Sequence, residues 1–359
     1  MERLRRISTW LSLGVSTALT GTLTGCPNPP PTVPENIFAD LGDVAPYANA
    51  VQMDTFTRGH EVALHRYSAE DGLGPHFNLA FCGGCHERPV LGGSAGRYRD
   101  FLIVQQRLAD GSQSPVGVNG IQPQLDLAKL HRSDATGANV ISIPNPIPFF
   151  GIGVLAELPE SSILANEDPD DRNHDGISGR ANYDRGFVGR FGRKAQTVSI
   201  EGFIRGPLFN HLGVTSNPLS EEHKAQLPVP SQSAPGLRTE GLADSLGVAI
   251  EAQAAAPDMP TTDDDGVPDP ELSEQDLFDV VSFAMLLAAP RPDAPTPETT
   301  EGHRLFRAAN CQGCHAEGLV GPRGLIPAYT DLLLHDMGAS LADGIVMGRE
   351  GTTVEMACL

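Results

Sequence analysis

Apolar positions along the chain gather into a few stretches with helical spacing, separated by long irregular tracts. Phe56, Val62 and Leu64 recur among polar residues over 54–67, a modest helical pattern. A stronger one follows Ser273-Glu274-Gln275-Asp276, which opens a helix in the manner of a capping box. There Leu277, Val280, Val281, Ala284 and Leu287 make one apolar face, and Pro290 ends the run. A further helix is predicted over Glu301–Ala309. Residues 37–80 read as short helices and loops, followed by a long stretch of Gly, Pro and Asn. Two Pro-rich segments, the acidic 256–273 and then 289–300, read as linkers.

The N-terminus has its own pattern. Arg3, Arg5 and Arg6 precede a mostly apolar or small-residue run from Trp10 to Leu23. That run is too short and too rich in Ser, Thr and Gly for a membrane span of about 20 residues. Residues 1–25 therefore read as a signal peptide. Leu23-Thr24-Gly25-Cys26 is similar to the bacterial lipobox, which predicts lipidation of Cys26 and a Pro-rich tether over 26–36. The expected location is the periplasmic side of a bacterial envelope, with membrane attachment through the lipid. The alternative is a plain secretory leader with a chance Cys.

Composition narrows the function classes. The chain has 45 acidic and 25 basic residues, a net charge of -20. Nucleic-acid binding rests on Lys and Arg neutralising phosphates, so no nucleic-acid partner is expected. An acidic surface suits a basic protein partner. With 39 Gly and 30 Pro the chain is rich in loops, yet 40% hydrophobic residues suffice for a core.

The chemistry is concentrated in a motif that occurs twice: Cys82-Gly83-Gly84-Cys85-His86 and Cys311-Gln312-Gly313-Cys314-His315. This is the attachment pattern of c-type haem. Two thiols about one turn apart reach the two porphyrin vinyl groups, and the adjacent His becomes the proximal iron ligand. A disulfide framework would leave each His accidental. A zinc site needs four close ligands, yet the pairs lie far apart in sequence. A redox dithiol would want a βαβ setting, which is absent. Two covalent c-type haems are the expected cofactors. The expected fold is mainly α with many loops, built from two cytochrome c-like haem domains. The predicted divisions are an N-terminal haem domain over 37–255, linkers and a connecting helix over 256–300, and a C-terminal cytochrome c-like domain over 301–359.

Other candidates are weaker. His335 and Met337 are proposed distal ligands of the second haem, with Met347 and Met356 behind them. At i and i+2, His335 and Met337 cannot serve one iron from one helix. Asp171-x-Asn173-x-Asp175-Gly176 matches the start of an EF-hand-like calcium loop, to which Asp168 and Asp170 could add. Its twelfth position is Asn182 and not Glu, and a solvated acidic turn is the alternative.

Beyond these motifs, the sequence resembles the dihaem oxidoreductase family of peroxidases, in places labelled thiol oxidoreductases and related to bacterial dihaem cytochrome c peroxidases. The resemblance runs from about Gly59 to Glu355. It is carried in order by Asp71-Gly72-Leu73-Gly74-Pro75 with Phe77-Asn78, and by Gly151-Ile152-Gly153 with Leu155 and Pro159. DPDDRNHDGISGR (168–180), Gly189-Arg190-Phe191-Gly192, Gly213 with Thr215-Ser216, and Asp331 to Gly338 complete the series. The resemblance implies that a haem on His86 meets hydrogen peroxide and that a haem on His315 takes electrons from a donor protein. It also implies an acidic side chain just before Gly213, to move a proton during O–O cleavage. Here that position is His211, an imidazole able to act as a proton shuttle. Where the family carries a Trp after Phe191-Gly192, this chain has Arg193, and its sole Trp, Trp10, lies in the leader. The chain also ends soon after His315, which is expected to mean a C-terminally truncated second haem domain. Two other readings accompany the peroxidase: a non-enzymatic dihaem electron-transfer lipoprotein, and a haem enzyme that oxidises a protein partner.

Overall fold

A computed structural model describes residues 31–128, 137–229, 259–348, 352 and 354–357. The leader, Cys26 and Cys358 lie outside the described residues. From Thr32 onward the chain forms one compact unit. Among the described residues, no helix is long and apolar enough to cross a membrane.

Among the described residues seven α-helices can be traced: α1 (Ala50–Leu64), α2 (Ile152–Ala156), α3 (Glu160–Leu164), α4 (Ile200–Pro207), α5 (Glu221–Gln226), α6 (Glu274–Leu286) and α7 (Pro297–Ala308). The centre is α6. The capping side chain of Ser273 opens it, and every residue from Leu277 to Leu286 is buried. A helix apolar on one face would lie on the surface, whereas one enclosed on all sides is a core helix. Two glycines make the enclosure possible. A Cβ on Gly59 of α1 would stand 2.0 Å from the Asp279 carbonyl oxygen, and one on Gly153 of α2 would stand 1.9 Å from that of Met285. Both helices therefore meet α6 backbone to backbone. The buried Asp279 carboxylate is met there by Arg58 through two hydrogen bonds of 2.8 Å.

Local capping shifts the predicted ends. Asn49 and Gln52 form a capping box that starts α1 ahead of the expected 54. Thr296 and Thr299 do the same for α7, with Pro297 in the first turn, so part of the expected linker is helix.

The expectation of a mainly α molecule with two cytochrome c-like domains is not met: the fold is mixed. Leu102–Arg107 pairs with Gln113–Pro115, Ile121–Gln122 and Val140–Ser142 in an antiparallel four-stranded sheet. Further small pairs join 319–321 to 324–326, 334–336 to 355–357, 183–184 to 187–188 and 76–77 to 125–126. Phe38–Ala39 runs parallel to Ala289–Pro290. These strands span two to six residues, too few to display alternation along the sequence.

The described residues of the C-terminal segment share a core with much earlier ones. Leu319, Ile326, Leu332 and Leu333 pack with Ile37, Phe38, Val154, Leu158, Ile163, Ala181 and Val188. A separate cluster surrounds α6, and a small third one joins Ile103, Ile121 and Ile345.

Candidate functional site

The two Cys-x-x-Cys-His motifs fold alike. Cys82–Gly84 and Cys311–Gly313 are each a single 3-10 turn. The amide of His86 donates to the Cys82 carbonyl at 3.2 Å, and that of His315 to the Cys311 carbonyl at 2.9 Å. Both turns thus bring the two thiols and the following imidazole together. None of these four cysteines is in a disulfide. Burial pushes the Cys82 and Cys85 thiols up to about 11. A thiol so raised is protonated at neutral pH, the opposite of a reactive redox dithiol.

Each histidine is also oriented. His86 Nδ1 donates to the Gly93 carbonyl at 3.0 Å, and His315 Nδ1 to the Tyr329 carbonyl at 3.0 Å. Such a bond fixes the tautomer and leaves Nε2 as the coordinating nitrogen. Burial lowers the His86 pKa, against the opposing effect of the Gly93 and Ile147 carbonyls, so the ring is held neutral, as a metal ligand must be. Its ring meets Phe149 edge-on at 4.9 Å.

The surroundings of the two motifs differ. The first is folded into the body: Gly83 and Gly84 are buried, and a Cβ on either would stand 2.9 Å from Leu64 or Phe81. The second lies on the surface. Cys311 and His315 are exposed, and α7 beside them buries none of its residues. Leu305 and Tyr329 are about half exposed, at 52% and 47%, and Phe306 packs edge-on against Tyr329 at 5.8 Å. This apolar surface beside an oriented imidazole and two thiols is what a flat hydrophobic prosthetic group would cover.

His211 is the one sequence-predicted site residue that the fold brings to the first motif. It sits in the π-turn Leu208–Leu212 that continues α4, a feature often found at functional sites. The turn closes on Gly213 (φ 84°), whose missing Cβ lets the backbone of Gly74 approach; a Cβ there would lie 2.4 Å from the Gly74 oxygen. His211 stacks edge-on with Phe101 at 4.8 Å. Its pKa falls to about 4 through burial, with the nearby His86 adding to the effect. The two imidazoles therefore share one environment although 125 positions separate them in sequence. Asn78, quoted above only as part of a motif, bonds the His211 ring at 3.1 Å. No spacing signal could have linked these two.

Other candidates are occupied differently. His335 is buried, with Nδ1 2.8 Å from the Ser178 carbonyl and Nε2 3.0 Å from Asp331, so both its nitrogens are engaged and neither is available to an iron. Met337 is half-buried, and its amide bonds Val354. Met347 packs in the small third cluster, and Met356 pairs with His335 across two strands. Asp171, Asn173 and Asp175 do form one turn with positive φ at Asp171 and Gly176. Their oxygens accept amides of the same turn: Gly176 to Asp171, Asp175 to Asn173 and Ile177 to Asp175. A different acidic group, Asp263, Asp269 and Glu271, gathers its oxygens within 4.8 Å of one another around Thr215. It falls in the stretch that reads as linker. Arg193 bonds Asp343 at 3.1 Å, and the fully buried Lys194 bonds Asp343 together with the Ile345 and Thr352 carbonyls.

The paired thiols and oriented imidazoles define a class: a haem-iron oxidoreductase. A family model described as "Di-haem oxidoreductase, putative peroxidase" matches residues 129–350, more than half of the chain, and the chain belongs to that family. The matched stretch holds the second motif and His211, while the first motif precedes it. The family's name implies two haems. No curated protein and no solved structure matches the chain.

Proposed function

We propose that the protein is a peroxidase that reduces hydrogen peroxide to water with electrons from an external one-electron donor: H2O2 + 2 e⁻ + 2 H⁺ → 2 H2O. Cys82 and Cys85 would hold one haem by thioether bonds with His86 as axial ligand, and Cys311, Cys314 and His315 would hold the other. When bound, haem iron supplies the redox centre and an open coordination position. The observation that carries the reading is the asymmetry between the motifs. Among the described residues His86 has a second imidazole, His211, close enough to act on it electrostatically, while His315 lies on an exposed apolar face.

The residues then divide the work. Gly93 and Tyr329 orient the two ligating rings. His211, neutral at working pH, handles a proton beside the first motif. The exposed face around Leu305, His315 and Tyr329 is where a donor protein would deliver electrons, and the acidic chain favours a basic donor. Lipidation at Cys26 would hold the protein on the periplasmic side of a bacterial envelope. A second reading, electron transfer without turnover, is favoured by Arg193, which stands where the resemblance expects a Trp and is tied to Asp343.

The test begins with a pyridine haemochrome assay on the mature protein, expected to give two c-type haems, with one lost in each double Cys→Ser variant. Stopped-flow mixing of half-reduced protein with peroxide should then change the Soret band within the mixing experiment. An unchanged band alongside fast reduction by small donors would establish the electron-transfer reading instead.

A further inference from the structure

We infer that Asn78 sets the tautomer of His211, fixing the proton on Nε2, so that His211 meets whatever binds beside His86 as a hydrogen-bond donor and not as a base. This rests on the haem-peroxidase reading and refines the part His211 plays in it.

The inference follows from a chain of obligate donors. The Gln124 backbone N–H can only donate, and it does so to Asn78 Oδ1 at 3.1 Å, sharing its hydrogen with the Phe77 carbonyl at 3.2 Å. The opposite carboxamide orientation would set two donors against each other. Asn78 therefore turns its NH2 group toward His211, 3.1 Å from Nδ1. An amide NH2 cannot accept, so Nδ1 must supply the lone pair. The ring is neutral, having one proton between two nitrogens, and that proton is left on Nε2. Nothing among the described residues bonds Nε2.

The surroundings lock the arrangement. The Asn78 amide donates to the His211 carbonyl at 2.7 Å, and the Gly74 amide to the Leu212 carbonyl at 2.8 Å. Phe101 limits ring rotation by its edge-on contact. A flip of the His211 ring would cost the Asn78 bond, and a flip of the Asn78 amide would cost the Gln124 bond. Asn78 is thus a positioning residue. A donor at Nε2 steadies an anionic or oxygen-bearing ligand. A ring whose Nε2 already carries a proton is also a poor iron ligand, so His211 stays off the metal. Any proton it accepts must come after it has given one.

Three measurements on the haem-loaded protein test this. The first is 15N NMR of the wild-type ferrous carbon monoxide complex, with His211 assigned through His211→Gln. An unprotonated Nδ1 and a protonated Nε2 support the inference, and the reverse pattern overturns it. The second uses fluoride as the probe. His211→Leu should weaken fluoride binding to the haem about tenfold, the worth of one hydrogen bond; a change under about twofold overturns the inference. In Asn78→Asp the carboxylate can accept from both Gln124 N–H and His211 Nδ1–H, freeing the Nε2 lone pair. A low-spin signal should then appear that added charge alone would not produce, and a spin state identical to wild type counts against the inference. Absence of any fluoride complex at the first haem in wild type sinks the peroxidase reading as well. Fluoride binding that ignores His211 sinks only the tautomer.

Discussion

Lys194 has no exposed side-chain surface, yet its Nζ reaches three oxygens, those of Asp343, Ile345 and Thr352. Burial lowers its pKa, and Asp343 opposes that effect. Removing one partner of a buried ionic group strands the others, which costs about 3–5 kcal/mol. Lys194→Met is therefore expected to lose that much in guanidinium unfolding, while Arg193→Ala, whose side chain is partly in water, should lose under about 1 kcal/mol. His335 offers a pH test. Burial works against charging its ring, but Asp331, Ser178 and Glu355 outweigh that and raise its pKa. A raised native value means that this stabilisation is complete below the ordinary imidazole pKa of about 6.5 and is lost as pH rises through the native one. The stability gap between wild type and Asp331→Asn should therefore be wider near about pH 5.5 than near about pH 9. A gap that widens with pH would contradict the pairing. These residues also show what the sequence reading could reach. Cys82 to His86 and Cys311 to His315 are legible because their chemistry needs only neighbours along the chain. For His335, a candidate distal ligand, sequence neighbours give no sign of Ser178, which takes one of its nitrogens from 157 positions away.

At the scale of elements, the contrast between α1 and α7 is sharp. Gly59 faces the α6 backbone with no room for a Cβ, whereas nothing lies within 4 Å of where a Cβ on Gly302 of α7 would stand. Gly59→Val should force the two helices apart and cost about 1–3 kcal/mol or more. Gly302→Ala should instead stabilise by about 0.5–1 kcal/mol, since it removes only backbone freedom. Thermal unfolding of the two variants checks both signs. The helices were legible because caps and 3.6-residue spacing are local signals. The depth of α6 was not, since its apolar face at 277, 280, 281, 284 and 287 gave no sign that Phe278, Asp279 and Ser282 are buried as well. Asp279 looks like a solvent-facing residue until Arg58 is placed against it. The strands escaped notice because pairs such as 76–77 with 125–126 exist only through tertiary contact.

The whole molecule is acidic, with a net charge of -20. Long-range attraction then speeds encounter with a basic donor and is screened within about 8–10 Å at physiological salt. Reduction by a small basic redox protein should slow as ionic strength rises, while reduction by a neutral small molecule should not. A rate indifferent to salt would place the entry point away from the acidic surface. The family was legible from motifs spread across the chain, whereas the mixed architecture was not. Leu319, Ile326, Leu332 and Leu333 carry no mark in the sequence of the partners they find at Ile37 and Phe38.

That shared core begins with the first described residues: the Leu325 amide bonds the Thr32 carbonyl, and Phe38 lines up with Ala289. A chain emerging from its N-terminus delivers Cys82 and Cys85 long before Leu319 to Leu333. Ile37 and Phe38 can meet Val154, Leu158 and Ile163 earlier, but their core is complete only once those late residues arrive. The tail of the protein is in this sense the latch on its beginning.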